Sequence, residues 1–381
     1  MNKRLKIMTI LGTRPEIIRL SCVIKKLSSV SDHILVHTGQ NYDPELNSVF
    51  FSDLGLSDPQ HYLDVNTGSL GATVGGILIE TERVLEIEKP DAVLILGDTN
   101  SAIAAYVAVR RKIPVYHMEA GNRCFDRNVP EETNRKLVDH IVDFNLVYTE
   151  HARRNLMNEG LQSRRIYLTG SPMFEVLTEH ADNIDRSDIL GKLGIEVNKY
   201  LLVSVHREEN VDNKQNLAQI VEALNLLVEH YDVPVIVSTH PRTRNRLAEM
   251  ESVEMDSRIS WSVPFGFHDY NKLQKSALCV ISDSGTIAEE SAILGFSAVT
   301  PRVSIERPEA MDTGSIIICG CRSDDIFRCT IEAVSLELNK SSTRSIPREY
   351  QVSDTSARVS NLIIGTCRLS NDWDGIKTVD Q

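Results

Sequence analysis

Aromatic residues are scarce in this 381-residue sequence, at 6%, and only two of them are Trp. Its seven cysteines (Cys22, Cys124, Cys279, Cys319, Cys321, Cys329 and Cys367) form no CxxC pair and no zinc-ligand spacing. An odd, scattered set reads as reduced thiols in a reducing compartment. No segment approaches the ~18 apolar residues of a membrane span. Positive charge is in deficit, 41 Lys and Arg against 53 Asp and Glu, for a net charge of −12. That excludes a broad nucleic-acid or anionic-membrane surface, which needs a positive field. A small anionic substrate stays compatible, because a few Arg and His can make a cleft locally positive. The glycine pattern GxGxxG is missing, so a dinucleotide site is not supported. Met1-Asn2-Lys3-Arg4 before LKIMTILG has the outline of a secretory signal. Its apolar run is too short, however, and ends in Gly12-Thr13-Arg14-Pro15, so it reads as a buried strand entering a loop. The cytoplasm is the expected location.

What the chain does have is alternation. Short apolar, β-branched runs at 6–11, 34–37, 92–96, 115–118, 145–148 and 166–169 are separated by helix-period segments at 15–27, 72–87, 101–111, 131–141 and 150–159. The pattern restarts with strands expected at 200–205, 235–238, 278–282, 298–300 and 316–318, and helices at 215–229, 243–251, 286–294 and 326–338. Strand runs without polar alternation are covered on both faces, as in parallel α/β sheets. The expected fold class is α/β, with two Rossmann-like doubly wound domains facing across a cleft. The expected domains are 1–171 and 172–354, then a helical segment from 355 packing back toward the first domain. The polar end, 370–381, is expected to fray.

In doubly wound folds ligands bind beyond the carboxyl ends of strands, so the residues just after each apolar run carry the chemistry. Gly12-Thr13-Arg14-Pro15-Glu16 opens a helix whose N-terminus, with Arg14, can hold an anion; the plain alternative is an ordinary strand-to-helix turn. Asp98 in Gly97-Asp98-Thr99-Asn100 suits acid–base work, but equally suits a helix N-cap. Glu119 closes a strand, where its charge needs solvent or a partner. Pro130-Glu131-Glu132 starts a helix, and Arg135, four residues after Glu131, reads most simply as its i,i+4 partner. Asp98, Glu119 and Glu131 all follow strand ends of one sheet, and gathered carboxylates repel and split into an acid and a base. In the second half His206-Arg207 and, more weakly, His240 follow strands and can donate to a phosphate. Ser284-Gly285-Thr286 offers backbone N–H groups, Glu290 can accept from both ribose hydroxyls, Arg307 adds a basic loop, and Tyr270 lies in an aromatic segment able to stack a base.

Taken in order, GTRPE, GDTNS, HMEAG, PEETNR, HREEN, SDSGT-x-x-EE and ERPEA resemble the non-hydrolysing UDP-N-acetylglucosamine 2-epimerase family over roughly residues 6–365. The resemblance implies a glycosyltransferase-B type fold, a homodimer, a UDP-N-acetylhexosamine substrate, no cofactor, and neither metal nor NAD. It places Asp98, Glu119 and Glu131 on the family's catalytic carboxylates and His206 on its histidine near the pyrophosphate. Arg14 and Arg135 fall on substrate-orienting residues, Ser284, Gly285 and Glu290 on UDP contacts, and Tyr270 where an aromatic ring covers the uracil. Arg19 stands where many members have Lys, a change of hydrogen-bonding geometry. Thr286 replaces the second Gly of a common SGG. The loop from Asn122 to Val129 resembles the branch that converts UDP-2-acetamido-2,6-dideoxy-L-talose to UDP-N-acetyl-L-fucosamine for capsule or O-antigen. In that reading Phe125 or Val129 meets the C6 methyl. The alternatives are epimerisation of UDP-N-acetylglucosamine to UDP-N-acetylmannosamine, a hydrolysing epimerase, a glycosyltransferase, and a non-catalytic UDP-sugar binder.

Overall fold

The computed structural model describes residues 4–39, 44–250, 255–338 and 345–376. The chain divides into two compact units, Met1–Glu179 with Arg348–Gln381, and His180–Pro347. The first holds β1 (Lys6–Leu11), β2 (Asp32–His37), β3 (His61–Tyr62), β4 (Ala92–Leu96), β5 (Val115–Met118), β6 (Phe144–Val147) and β7 (Ile166–Leu168). These strands are all parallel, in the order β3-β2-β1-β4-β5-β6-β7. The second holds β8 (Leu201–Ser204), β9 (Val235–Ser238), β10 (Ile259–Ser262), β11 (Cys279–Ser282), β12 (Ala298–Thr300) and β13 (Ile317–Ile318). They too are parallel, in the order β10-β9-β8-β11-β12-β13. Both are doubly wound α/β sheets, the fold class expected from the alternation of apolar runs.

Why the strands read as unbroken apolar runs is visible in the second unit. Leu201, Val203, Val235, Val237, Cys279 and Ile281 pack under the helices Lys214–Tyr231 and Ser323–Leu338. The alternate residues Leu202, Ile236, Val280 and Ala298 pack with Leu273 and Ile287 of the helices Phe267–Ser276 and Ile287–Leu294. Successive side chains point to opposite faces and both faces are covered, so the strands read as near-continuous apolar runs. β3 and β10 escaped sequence reading because both are edge strands: one is two residues long, the other alternates as ISWS.

Each sheet reverses its winding once, between β1 and β4 and between β8 and β11, and ligands bind at such switch points. There the sequence expectations need correction. The segment expected as one helix at 101–111 is a 3₁₀ turn, Asn100–Ile103, followed by the helix Ala104–Arg110. Its cap is Thr99, whose hydroxyl accepts from Ser101 N, which leaves the Asp98 carboxylate for other work. The polar end is also better held than expected. The Arg165 guanidinium lies over the rings of Phe144 and Trp373, at 4.6 and 5.2 Å, and pairs with Asp374 at 2.6 Å. A cation stacked on two aromatic faces and tied to a carboxylate anchors residues 370–376 on the first unit. Residues 377–381 lie outside the described part.

Candidate active site

β1 and β4 are neighbours, and the turns that leave them are bound together by Glu16. Its Oε2 accepts from Gly12 N at 2.5 Å and Thr13 N at 2.9 Å, and its Oε1 from Thr99 Oγ1 at 2.5 Å. Gly12 is required here, since a Cβ would collide with the Thr38 and Ser101 hydroxyls, themselves bonded at 2.9 Å. Glu16 is buried, and that burial pushes its carboxyl up to about 7, with a further upward push from Asp98, against the three hydrogen bonds.

The folded chain therefore binds this proton more tightly than the unfolded chain, where the ordinary value is 4.5. The corresponding stability is complete below 4.5 and is lost as pH rises through 7, about 3 kcal/mol in all. We expect the stability of the wild type relative to Glu16→Gln to decline between pH 5 and 8, read from urea midpoints. A pH-independent difference would contradict the assignment.

Asp98 and Glu119 leave adjacent strands, β4 and β5, and each is matched to an arginine. Arg135 holds Asp98 through Nε at 2.7 Å and Nη2 at 2.6 Å, while its Nη1 donates to Glu132 at 2.9 Å. Beside the i,i+4 pairing expected with Glu131, Arg135 thus contacts Asp98 from the end of β4 and Glu132 on its own helix. Glu131 is half-buried in the first turn of the helix Glu131–Ile141, where the macrodipole favours its charge. Burial opposes ionisation of Glu132, but Arg135 and Cys124 outweigh it and hold that carboxyl below the usual range. Glu119 pairs with Arg19, both nearly inaccessible, and takes a left-handed backbone at φ 64°. Left-handed backbone at a non-glycine costs of order 1–3 kcal/mol and is typical of functional sites. Asp98 and Glu119 are each paired with an arginine, and Asp98 adds to the upward push on Glu16. Arg14 lies 5.8 Å from the Phe50 ring.

Beneath β5 sits a buried network that spacing did not reveal. Arg123 donates to both oxygens of Glu159 at 2.8 and 2.7 Å, to Asp139 at 2.7 Å and to Asn122 O at 2.7 Å. His117 bridges Gly97 O at 2.7 Å and Asp139 at 2.9 Å, coupling the ends of β4 and β5. Burial raises the Asp139 carboxyl, but His117 and Arg123 prevail and hold it below the usual range. This network anchors the loop from Asn122 to Val129. Val129 is buried in it, whereas Phe125 is 76% exposed.

In the second unit the turns after β8 and β11 meet at Asp283, which is fully buried. It accepts from His206 N, Arg207 N and Asn210 Nδ2 at 2.9–3.1 Å and lies 3.2 Å from His206 Nδ1. The His240 ring is 6.1 Å from that of His206. Arg207 donates to Asp283 O at 2.8 Å and to Glu306 at 3.2 Å, and Arg302 takes the other Glu306 oxygen at 2.8 Å. Arg307 Nε donates to Gly285 O at 2.9 Å. Ser284 and Thr286 join hydroxyls at 2.9 Å, and Glu290 accepts from Gln274 at 2.6 Å. Tyr270 lies near Ser204 and Ser282, the last residues of β8 and β11, and burial pushes its pKa upward. Arg207 and Arg307 stand beside this strand-to-helix turn, a setting able to hold an anion.

Among the described residues no three or more His, Cys, Asp or Glu side chains converge to hold a metal ion, and no helix is long and apolar enough to cross a membrane. Asp283, Glu16 and the Arg123 network are the parts sequence reasoning missed. Glu16 stood three residues after Thr13, the spacing at which an acid reaches back over a helix start. Asp283 stood at a strand end like the residues that were singled out.

Comparison with known proteins identifies the family. Residues 25–364 match the family model "UDP-N-acetylglucosamine 2-epimerase". A curated UDP-N-acetylglucosamine 2-epimerase of Methanocaldococcus jannaschii is 38% identical over 344 residues, 88% of this chain and 93% of that protein. The solved UDP-N-acetylglucosamine 2-epimerase of Rickettsia bellii is similar at 42% identity and TM-score 0.91, covering 98% of this chain and 100% of that one. The M. jannaschii UDP-GlcNAc 2-epimerase in complex with UDP-GlcNAc and UDP superposes with TM-score 0.87 at 36% identity, covering 95% and 100%. The fold is the two-domain parallel α/β architecture of the glycosyltransferase-B type. With its family model spanning most of the sequence and a relative this similar along nearly its whole length, the chain belongs to the UDP-N-acetylglucosamine 2-epimerase family and is an epimerase.

Proposed function

We propose that the protein inverts C2 of a UDP-N-acetylhexosamine by eliminating UDP to a glycal and adding it back. The observation that carries this is the matching of Asp98 and Glu119, on adjacent strand ends, to Arg135 and Arg19. C2 of the resting sugar lies beside no carbonyl, so its proton is not acidic. It becomes removable only as the C1–O bond breaks and positive charge grows on the ring. Elimination therefore needs a stabilised diphosphate leaving group and a carboxylate base. Cations held by the fold contribute several kcal/mol to such a leaving group, roughly 3–4 for one well-placed donor. A positioned base contributes about 10²–10⁴ in rate. His206, Arg207 and the turn at Ser284-Gly285-Thr286 serve the diphosphate; Glu290 serves the ribose, with Tyr270, His240 and Arg307 shaping the nucleotide site. Asp98, Glu119 and Glu131 serve C2, with Arg14, Arg19 and Arg135 orienting sugar and carboxylates. Inversion needs acid–base groups on both ring faces, which is why one carboxylate is insufficient.

UDP-N-acetylglucosamine is the first substrate to test, because similar relatives carry that name. The second is UDP-2-acetamido-2,6-dideoxy-L-talose, favoured by the loop from Asn122 to Val129, where exposed Phe125 offers an apolar surface to a C6 methyl. An NMR time course with each sugar alone decides. Epimerisation of the deoxysugar by at least tenfold higher kcat/KM supports the L-fucosamine branch, and the reverse ranking rejects it. Failure to epimerise any UDP-N-acetylhexosamine rejects the reaction. A second copy of the chain is the proposed protein partner, on the exposed Leu70, Ile79, Ile87 and Tyr106 of two neighbouring helices. Sedimentation reading a single-chain mass at micromolar concentration would contradict it.

A further inference from the structure

We infer that Asp283 is a positioning residue that fixes the protonation pattern of His206, keeping a hydrogen on Nδ1 so that Nε2 is the nitrogen presented to the leaving diphosphate. The inference rests on the proposal that His206 serves the diphosphate, and adds what makes the ring competent. Asp283 is inaccessible, and its carboxylate is saturated by the turn it organises: two backbone N–H groups, His206 and Arg207, and the Asn210 amide. Asn210 is fixed in turn, donating to Pro301 O at 3.0 Å while its own oxygen accepts from Cys321 at 2.9 Å. Oδ1 of the same carboxylate stands 3.2 Å from His206 Nδ1. An ionised carboxylate is an acceptor only, so the nitrogen facing it must carry the hydrogen.

The consequence is chemical. A neutral ring with its hydrogen on Nδ1 has a lone pair on Nε2, the nitrogen at which a second proton can be added. An imidazolium donates a charge-assisted hydrogen bond to the oxygen on which charge develops as C1–O breaks. A ring with its single hydrogen on the other nitrogen would turn a lone pair toward Asp283, two acceptors facing each other. The His206 side chain is 41% exposed, whereas Asp283 is inaccessible. The His–Asp arrangement of hydrolytic enzymes uses a buried carboxylate in the same way, and loss of that charge reverses the tautomer with the geometry intact.

The test uses the full-length protein labelled with ¹⁵N in its histidines, His206 being assigned by comparison with His206→Gln. Between pH 6 and 8, long-range ¹H–¹⁵N spectra of the wild type should show His206 with Nδ1 protonated. A ring protonated on Nε2 alone would overturn the inference without recourse to any variant. In Asp283→Asn the amide can present a donor to Nδ1, and the resonances should move to the Nε2-protonated form. That variant should also lose about 10²-fold or more in kcat with the UDP dissociation constant changed less than threefold. Unchanged His206 resonances and kcat would overturn the inference, as would a loss of UDP binding as large as the loss of kcat. If Asp283→Asn does not fold, the wild-type spectrum still decides. If His206 does not face the diphosphate at all, its resonances will not respond to added UDP while their dependence on Asp283 persists, which separates the two failures.

Discussion

Replacing Glu119 by Gln should lower kcat by about 10²–10⁴ while the protein still folds. Glu119 is held on both sides: left-handed backbone at φ 64°, Arg19 on one oxygen and Asn122 Nδ2 within 3.5 Å of the other. The glutamine keeps an oxygen for Arg19 but neither the charge nor the basicity. Arg19 is left as a charged side chain that is 5% exposed. Removing one partner of a buried pair costs up to about 3–5 kcal/mol, and retention of the amide acceptor should keep the loss at or below the lower end. The prediction is therefore a large fall in kcat with a modest fall in unfolding midpoint. Normal turnover in Glu119→Gln would remove this residue from the acid–base set, whatever its stability.

Arg123→Ala should be the most destabilising single truncation near the site, by about 3–5 kcal/mol. Its guanidinium, with no accessible surface, neutralises Asp139 and forms a two-pronged pair with Glu159. Without it Asp139 keeps His117 and Gly121 N, but one buried negative charge loses its strongest partner. The expected shift in unfolding midpoint is a drop of roughly 6–20 °C for a unit of this size. Arg123→Lys should recover only part, because a point charge cannot reproduce the fork on Glu159 while reaching Asp139. A change under about 1 kcal/mol would show that the loop from Asn122 to Val129 is held by other contacts, such as the burial of Val129.

Much of this architecture is legible in the order of residues, and the reason is geometric. A parallel sheet covered on both faces must be written as apolar runs, so the runs mark the strands and the residues after them mark the carboxyl edge. Asp98, Glu119, His206 and Ser284 were found that way. What stays hidden is pairing across the sheet. Arg19 and Glu119 are 100 residues apart, Glu16 and Thr99 83, and His206 and Asp283 77, distances at which no local periodicity links them. Local spacing gives part of the answer: Arg135 pairs with Glu132 one helical turn before it, but its contact with Asp98, from the end of β4, is 37 residues away. Edge strands and the cap at Thr99 are missed because short, polar or competing signals decide them. The family itself was readable because several weak strings stand in one order, which no single string could establish.

The reaction is tested most directly by running the NMR time course in D₂O. Elimination and re-addition predict deuterium at C2 of both epimers and none at C4 or C5. Epimers that interconvert while C2 keeps hydrogen untouched by solvent would contradict the account.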